Sequence, residues 1–254
     1  MPKKRSLLAE ARSWATKRKL FGAQAFLRYM ILRFTENLNQ VTDDFVFKGG
    51  NLLWVYIDTP RATTDLDLAT LKSSSHSHVR ELLEEACKVD PEIQFNILEF
   101  KQIEQEGKIG AAVTFGYSTE QGASNRFEAD IVYALGTDVQ EIESPIGTKN
   151  TIQAATIENI IVDKVSACHR FGSGNTRMKD FDDLWRLSKS GHRVIPSRLR
   201  KLFQNRKCEP HLEPDWIGPD MKRSWKLHSA RYKDLPVDLN QLFADVNSWL
   251  DGIL

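Results

Sequence analysis

Cysteine is scarce: Cys87, Cys168 and Cys208 are the only three in 254 residues, odd in number and far apart. A disulfide scaffold is excluded, and reduced thiols in a cytoplasmic protein are expected. Long apolar runs are missing too. The longest, Leu52 to Ile57, falls far short of the ~20 residues that span a bilayer, so no membrane partner is expected. The basic start Lys3-Lys4-Arg5 leads into a stretch broken by Glu10 and Arg12, which leaves no core for a secretory leader. Gly-x-Ser-x-Gly, Cys-x-x-Cys, the dinucleotide glycine fingerprint and Gly-x-x-x-x-Gly-Lys-Ser/Thr are all absent. Their absence argues against common hydrolases, zinc sites, dinucleotide enzymes and P-loop NTPases. His76 and His78 lie in a serine-rich stretch with no third ligand in sequence reach.

What is present is the composition of a globular protein, 41% hydrophobic and 27% charged. A chain of this length buries roughly 75% of the surface its unfolded form exposes, so a substantial core is expected. The formal net charge of +1 conceals an uneven distribution. Residues 1–34 carry nine bases and one acid, and residues 193–233 carry eleven bases and four acids. Basic ends around an acidic middle suit a polyanion held near a site that needs carboxylates. Solvated helix faces would account for the same pattern.

Periodicity places the elements. Leu20 to Leu38, with Phe26, Met30, Phe34 and Leu38 four apart, reads as an amphipathic helix. Phe45–Phe47 reads as a short buried strand ending at Gly49-Gly50, and Leu52–Ile57 as the helix that follows. Thr64–Ala69 alternates, with Leu66 and Leu68 on one face and Asp65 and Asp67 on the other, as in a half-buried strand. His78–Lys88 reads as a helix. Strands are expected over Ile93–Phe100, Ile109–Tyr117 and Arg126–Tyr133. After Leu135 a loop with Pro145 and Gly147 should lead into helices at Ile157–Phe171, Met178–Ser188, Ser197–Asn205, Pro219–His228 and Leu239–Leu250. The expected organisation is α+β: a mixed domain over residues 1–145, with a basic N-terminal helical segment, then a helical domain over 146–254.

Asp65 and Asp67 carry the strongest chemical signal. Residues two apart on a strand point the same way, so both carboxylates leave one face. Such like charges repel unless a cation lies between them, and an oxygen-loving divalent metal is the natural occupant. Two solvated acids on an exposed edge would look the same. Lys48-Gly49-Gly50-Asn51, at a strand end and helix start, could let backbone N–H groups approach an anion. Asp130 is a candidate third carboxylate: Phe127, Ala129 and Ile131 share one face of its strand, and Glu128 and Asp130 the other. Glu128 remains the competing candidate.

Lys164 lies within or beside the apolar stripe of Ile157, Ile160, Ile161, Val165 and Cys168. An inward lysine needs an anionic partner, which could be a bound phosphate, Glu158 or Asp163. Asp180 precedes Leu184 by four residues and Leu187 by seven. It therefore faces inward and could hold Arg177, Lys164 or donors on a nucleotide.

Three stretches, Phe45–Leu53, Arg61–Leu68 and Arg177–Leu184, together resemble the AbiEii/AbiGii abortive-infection toxins, nucleotidyltransferase-like proteins of bacterial type IV toxin–antitoxin systems. The resemblance runs from about Gln24 to Leu187. It implies a polymerase-beta-like nucleotidyltransferase core with a helical C-terminal region. It also implies that Gly49, Gly50 and Asn51, with Lys48 beside them, belong to the motif holding a nucleotide's phosphates, Asn51 replacing the more usual Thr or Ser. Asp65 and Asp67 match the metal-binding pair, and Arg61 and Thr63 the basic and hydroxyl positions before it. Lys164 matches a helix lysine expected to contact phosphates, Asp180 matches a Lys-Asp-Phe motif, and Asp130 is the candidate third metal ligand.

The implied reaction is Mg2+- or Mn2+-dependent transfer of a nucleoside monophosphate from a nucleoside triphosphate to RNA, with the tRNA 3′ end favoured. Growth arrest would be restrained by a cognate antitoxin. The alternatives are a small-molecule, antibiotic-type nucleotidyltransferase and a non-catalytic nucleotide-binding regulatory protein.

Overall fold

The computed structural model describes residues 6–57, 59–60, 63–105, 108–133 and 136–254. The chain divides into two compact units. The first holds residues 1–55 and 60–155, and the second holds Tyr56–Thr59 and Thr156–Leu254.

The first unit is built on a mixed sheet of seven strands. In chain order they are β1 (Phe45–Lys48), β2 (Leu66–Thr70), β3 (Ile93–Gln105), β4 (Lys108–Thr119), β5 (Ser124–Val132), β6 (Val139–Glu143) and β7 (Thr151–Ala155). Across the sheet they run β3-β4-β5-β2-β1-β7-β6. Four helices accompany them: α1 (Leu7–Lys17), α2 (Gly22–Val41), α3 (Gly49–Ile57) and α4 (His76–Ala86).

Register sorts the side chains onto two faces. Leu66 pairs with Ala129, Leu68 with Ile131, and Phe115 with Phe127. All six are buried, and with Phe45 and Phe47 they make the apolar face. Helix α2 covers it: the ring of Phe34, at the four-residue spacing read from the sequence, lies 4.4 Å from Phe115, 5.3 Å from Phe95 and 5.7 Å from Phe127. Removing a fully buried ring of this kind costs about 3–5 kcal/mol. Because side chains alternate along a strand, the residues between these apolar positions, Asp67 and Asp130 among them, leave the opposite face.

The stretch expected to be a loop after Leu135 contains the hairpin β6–β7, whose second strand pairs in parallel with β1 through Phe47 and Ala154. Its anchors are polar and distant in sequence. Glu36, buried on α2, accepts hydrogen bonds from Thr148 and Asn150, and Asn39 accepts one from the Gln153 N–H at 2.7 Å. The Pro145 carbonyl accepts from the Trp14 indole at 2.8 Å and from Arg18 at 3.1 Å. Local periodicity carries no trace of such partners.

The second unit is helical: α5 (Ile157–Phe171), α6 (Met178–Ser190), α7 (Pro196–Arg206), α8 (Pro219–Ser229) and α9 (Leu239–Ile253). Thr156 caps α5 by accepting from the Asn159 N–H, and Asp238 caps α9 by accepting from the Asn240 N–H. Gly191 ends α6 in the left-handed conformation, φ 66°, where a side chain is disfavoured. Its core includes Phe181 against Phe243, with centroids 5.2 Å apart, and the buried Leu184, Leu242 and Val246. Among the described residues, no helix is long and apolar enough to cross a membrane.

Candidate functional site

In the sheet unit, β1 ends in a turn that only glycine permits. Gly49 has φ +72°, and a Cβ there would stand 1.8 Å from Oδ2 of Asp67. Both the backbone angle and the space exclude a side chain. The next N–H, that of Gly50, points to the same Oδ2 at 3.3 Å. The β2 carboxylate is thus tucked against the first turn of α3, where unpaired amides and the helix dipole favour negative charge.

Asp67 is the middle of a row. It pairs with Lys48 on β1 and with Asp130 on β5, so the three share one face of three adjacent strands, which lie ~4.8 Å apart. Asp130 is exposed, and Asp67 and Lys48 are half-buried. Glu128 is exposed on the same face two residues earlier, so of the two candidates Asp130 is the one in register with Asp67. Asp65, an exposed bend residue just before β2, accepts a hydrogen bond from Thr64 at 3.0 Å. Arg61, expected beside this pair, lies outside the described residues.

Asn51 has no exposed surface. Its Oδ1 accepts from Nε of Arg28 at 3.1 Å, and its Nδ2 donates to the Asp65 carbonyl at 2.8 Å. Its side chain is engaged at both ends within the protein. Arg28 is itself buried, with its guanidinium 4.5 Å from the centroid of the Trp54 ring.

The donor set suits a hard cation, because Asp65, Asp67 and Asp130 offer carboxylate oxygens and no nitrogen or sulfur. Among the described residues, no three carboxylate, imidazole or thiol groups converge as a preformed cage. Mg2+ usually keeps several waters and is held by one or two carboxylates together with substrate phosphates. The Gly49 cradle adjoins Asp67, so the residues fit an oxygen-bound divalent ion.

In the helical unit, Lys164 and Asp180 come together with a residue that sequence reasoning missed as a partner. Lys164 is 9% exposed, and its ammonium donates to Asp183 at 2.5 Å and to Asp180 at 3.3 Å. Of the partners foreseen on its own helix, Glu158 accepts instead from the Ile195 N–H at 2.6 Å, and Asp163 accepts from Asn159 and Arg206. Asp183 has no exposed surface. Its place beside Asp180 in Lys-Asp-Phe-Asp-Asp was the available signal. Arg177 Nε approaches the second oxygen of Asp180 at 3.1 Å, as an ion pair without hydrogen-bond alignment.

No thiol competes as a nucleophile. Burial pushes Cys87 up to about 12, with the nearby Glu84 acting in the same direction. It raises Cys168 and Cys208 as well. Near neutral pH they stay protonated and weakly reactive. The basic segments are exposed at Lys17, Arg18 and Lys19, and at Arg200, Lys201, Lys222, Arg223 and Lys226. Lys3, Lys4 and Arg5 lie outside the described residues.

Comparison with protein families finds a match over residues 33–247 to the family described as nucleotidyl transferase AbiEii toxin, type IV TA system. Among solved structures, the chain resembles one titled as a putative nucleotidyltransferase from H. pylori, with a TM-score of 0.56 and 21% identity, covering 92% of this chain and 96% of that one. It also resembles JHP933 from Helicobacter pylori, with a TM-score of 0.57 and 21% identity, covering 92% and 93%. At that identity the likeness shows the fold. Comparison with the curated proteins gives no match.

Proposed function

The chain belongs to the AbiEii nucleotidyl transferase toxin family of type IV toxin–antitoxin systems, and from that premise we propose how its nucleotidyltransferase site works and on what. The substrate is a nucleoside triphosphate, the acceptor is RNA with the tRNA 3′ end favoured, and the outcome is blocked translation, restrained by a cognate antitoxin. The observation that carries this reading is the register row Lys48–Asp67–Asp130 beside the Gly49–Gly50 turn. It supports the reading because carboxylates suited to a cation lie next to amides suited to a phosphate.

Asp67 and Asp130, with Asp65 on the bend before them, are the carboxylates that would hold Mg2+ or Mn2+ together with water and the substrate's phosphates. When bound, the ion neutralises charge on the α-phosphate and polarises the acceptor hydroxyl. The Gly49 amide, the Gly50 amide once it leaves its long 3.3 Å contact with Asp67, and the Lys48 ammonium hold the phosphates farther along the chain. The acceptor hydroxyl oxygen forms a bond to the α-phosphorus as the bond to pyrophosphate breaks, and the hydroxyl proton passes to the Asp130 carboxylate. In the helical unit, Lys164, held by Asp180 and Asp183, is the amine for which the family resemblance implies a phosphate contact, and Asp180 the carboxylate for which it implies a nucleotide contact. Asn51, with its side chain enclosed, contributes its backbone N–H. The basic segments supply ammonium and guanidinium groups for the RNA backbone.

The test is incubation of the full chain with each labelled triphosphate, Mg2+ and total tRNA, beside Asp67→Ala. Label should enter tRNA with the wild type alone. Transfer to small hydroxylated acceptors but not to RNA would make it a small-molecule enzyme. Nucleotide bound and recovered intact in every mixture would make it a regulatory binder.

A further inference from the structure

Asp65 occupies an awkward place for a metal ligand. The ladder between β2 and β5 begins at Leu66, so Asp65 stands one residue outside it, on an exposed bend. Thr64 donates to its carboxylate at 3.0 Å, but a side chain on a bend outside the ladder takes its direction from a main chain that something must fix. Here the Asn51 amide does so, donating to the Asp65 carbonyl at 2.8 Å.

The orientation of that amide is set chemically. A guanidinium only donates and a carbonyl only accepts. The Arg28 Nε at 3.1 Å therefore demands Oδ1 of Asn51, which turns Nδ2 toward Asp65. Were the amide reversed, both contacts would become clashes of like polarity.

Arg28 is in turn held by packing. It is 6% exposed, and its guanidinium stacks on Trp54, which meets Trp14 of α1 edge-on with centroids 5.8 Å apart. Arg28 also precedes the segment matched by the family, residues 33–247.

We infer that Arg28 and Asn51 form a positioning couple that fixes the backbone at Asp65 and thereby the direction from which its carboxylate meets a divalent cation. Neither side chain touches the ion. The couple carries the order of a buried aromatic cluster to an exposed ligand. This inference rests on the metal-binding reading proposed above.

The experiment is titration of the purified full chain with Mn2+, with free ion followed by electron paramagnetic resonance well below the melting temperature. Wild type is compared with Asn51→Leu, Arg28→Met, the double variant and Asp65→Asn. Partners that orient metal ligands are typically worth 10–100-fold in affinity, so each single variant should weaken Mn2+ binding roughly tenfold. The double variant should be no weaker than Asn51→Leu alone, because the two act through one contact. Arg28→Lys, which keeps a donor for Asn51, should recover part of the loss.

Wild-type Mn2+ affinity in Asn51→Leu or Arg28→Met, with only the melting temperature lowered, would reduce the couple to packing and overturn the inference. Multiplicative losses in the double variant would overturn it too. If Asn51→Leu does not fold, the Arg28→Met and Arg28→Lys pair decides. Absence of Mn2+ binding by the wild type, or Asp65→Asn binding like wild type, would instead sink the metal reading itself.

Discussion

The two charged clusters obey opposite rules. In the sheet unit, carboxylates stand side by side, the half-buried Asp67 in register with the exposed Asp130, and strand pairing decides their spacing. In the helical unit, opposite charges are brought together and enclosed. Lys164 lies between Asp180 and Asp183, and the fully buried Asp182 accepts from Arg186 at 2.6 Å and from His228 at 2.9 Å. The first arrangement brings two carboxylates and the Lys48 ammonium onto one face of neighbouring strands. The second is balanced from within, and so it stabilises a fold as well as presenting an amine. The same residue types therefore carry different costs: an acid removed from the sheet unit should be felt in chemistry, one removed from the helical unit in stability.

The sharpest break of that contrast would come from Asp67→Ala. Transfer of nucleotide should fall by at least about 10²–10³-fold, the scale of losing one preorganised charge-stabilising group, in a single-turnover assay. A fully active variant would make the row a solvated surface.

Next is Asp183→Ala. It leaves a buried ammonium short of a partner, and about 3–5 kcal/mol of stability should go, read from urea unfolding. The exposed Asp130→Ala should stay within about 0.5 kcal/mol of wild type by the same measurement. Equal costs at the two sites would erase the distinction.

Gly49→Ala crosses both categories. Its φ of +72° and the 1.8 Å approach to Asp67 should cost about 1–3 kcal/mol and displace the carboxylate, lowering Mn2+ affinity as well as the melting temperature.

The smallest effect concerns pH. Burial tends to raise the Asp44 carboxyl. The hydrogen bonds it accepts from Ser73 and from the N–H groups of Lys72, Ser73 and Leu71 outweigh burial and hold it below the usual carboxylate range. A carboxyl lowered by folding contributes stability above its unfolded value near 4 and loses it as pH falls through the folded value. Asp44→Asn should therefore flatten the acid limb of the stability curve while leaving transfer unchanged near neutral pH.

Legibility in the sequence also differed between the regions. The shared face of Asp67 and Asp130 could be read from alternation, because a strand's period of two assigns faces without knowledge of its neighbours, whereas Asp65, expected on the same strand, lies on the bend before it. Gly49-Gly50 could be read because a tight turn at a helix start is a local demand. Lys164 showed as an intruder in an apolar stripe, yet its partner Asp183 sits on another helix, 19 residues on, where spacing along one helix cannot point. Asn51 looked like a phosphate contact; that its side chain is buried against Arg28 and Asp65 depends on packing between α2, α3 and the start of β2. The hairpin β6–β7 has few apolar residues of its own and is placed by Glu36, Asn39 and Trp14, each more than a hundred residues away, so it read as a loop. Local rules reveal groups that face outward in a row, and they miss groups whose meaning is a distant partner.

The most direct measurement is a crystal structure of the chain soaked with Mn2+ and a non-hydrolysable nucleoside triphosphate, with the ion located by anomalous scattering. An anomalous peak among the Asp65, Asp67 and Asp130 carboxylates, with phosphate oxygens on the Gly49 and Gly50 amides, is the expected result. A peak elsewhere, or phosphates bound away from that glycine turn, would contradict it.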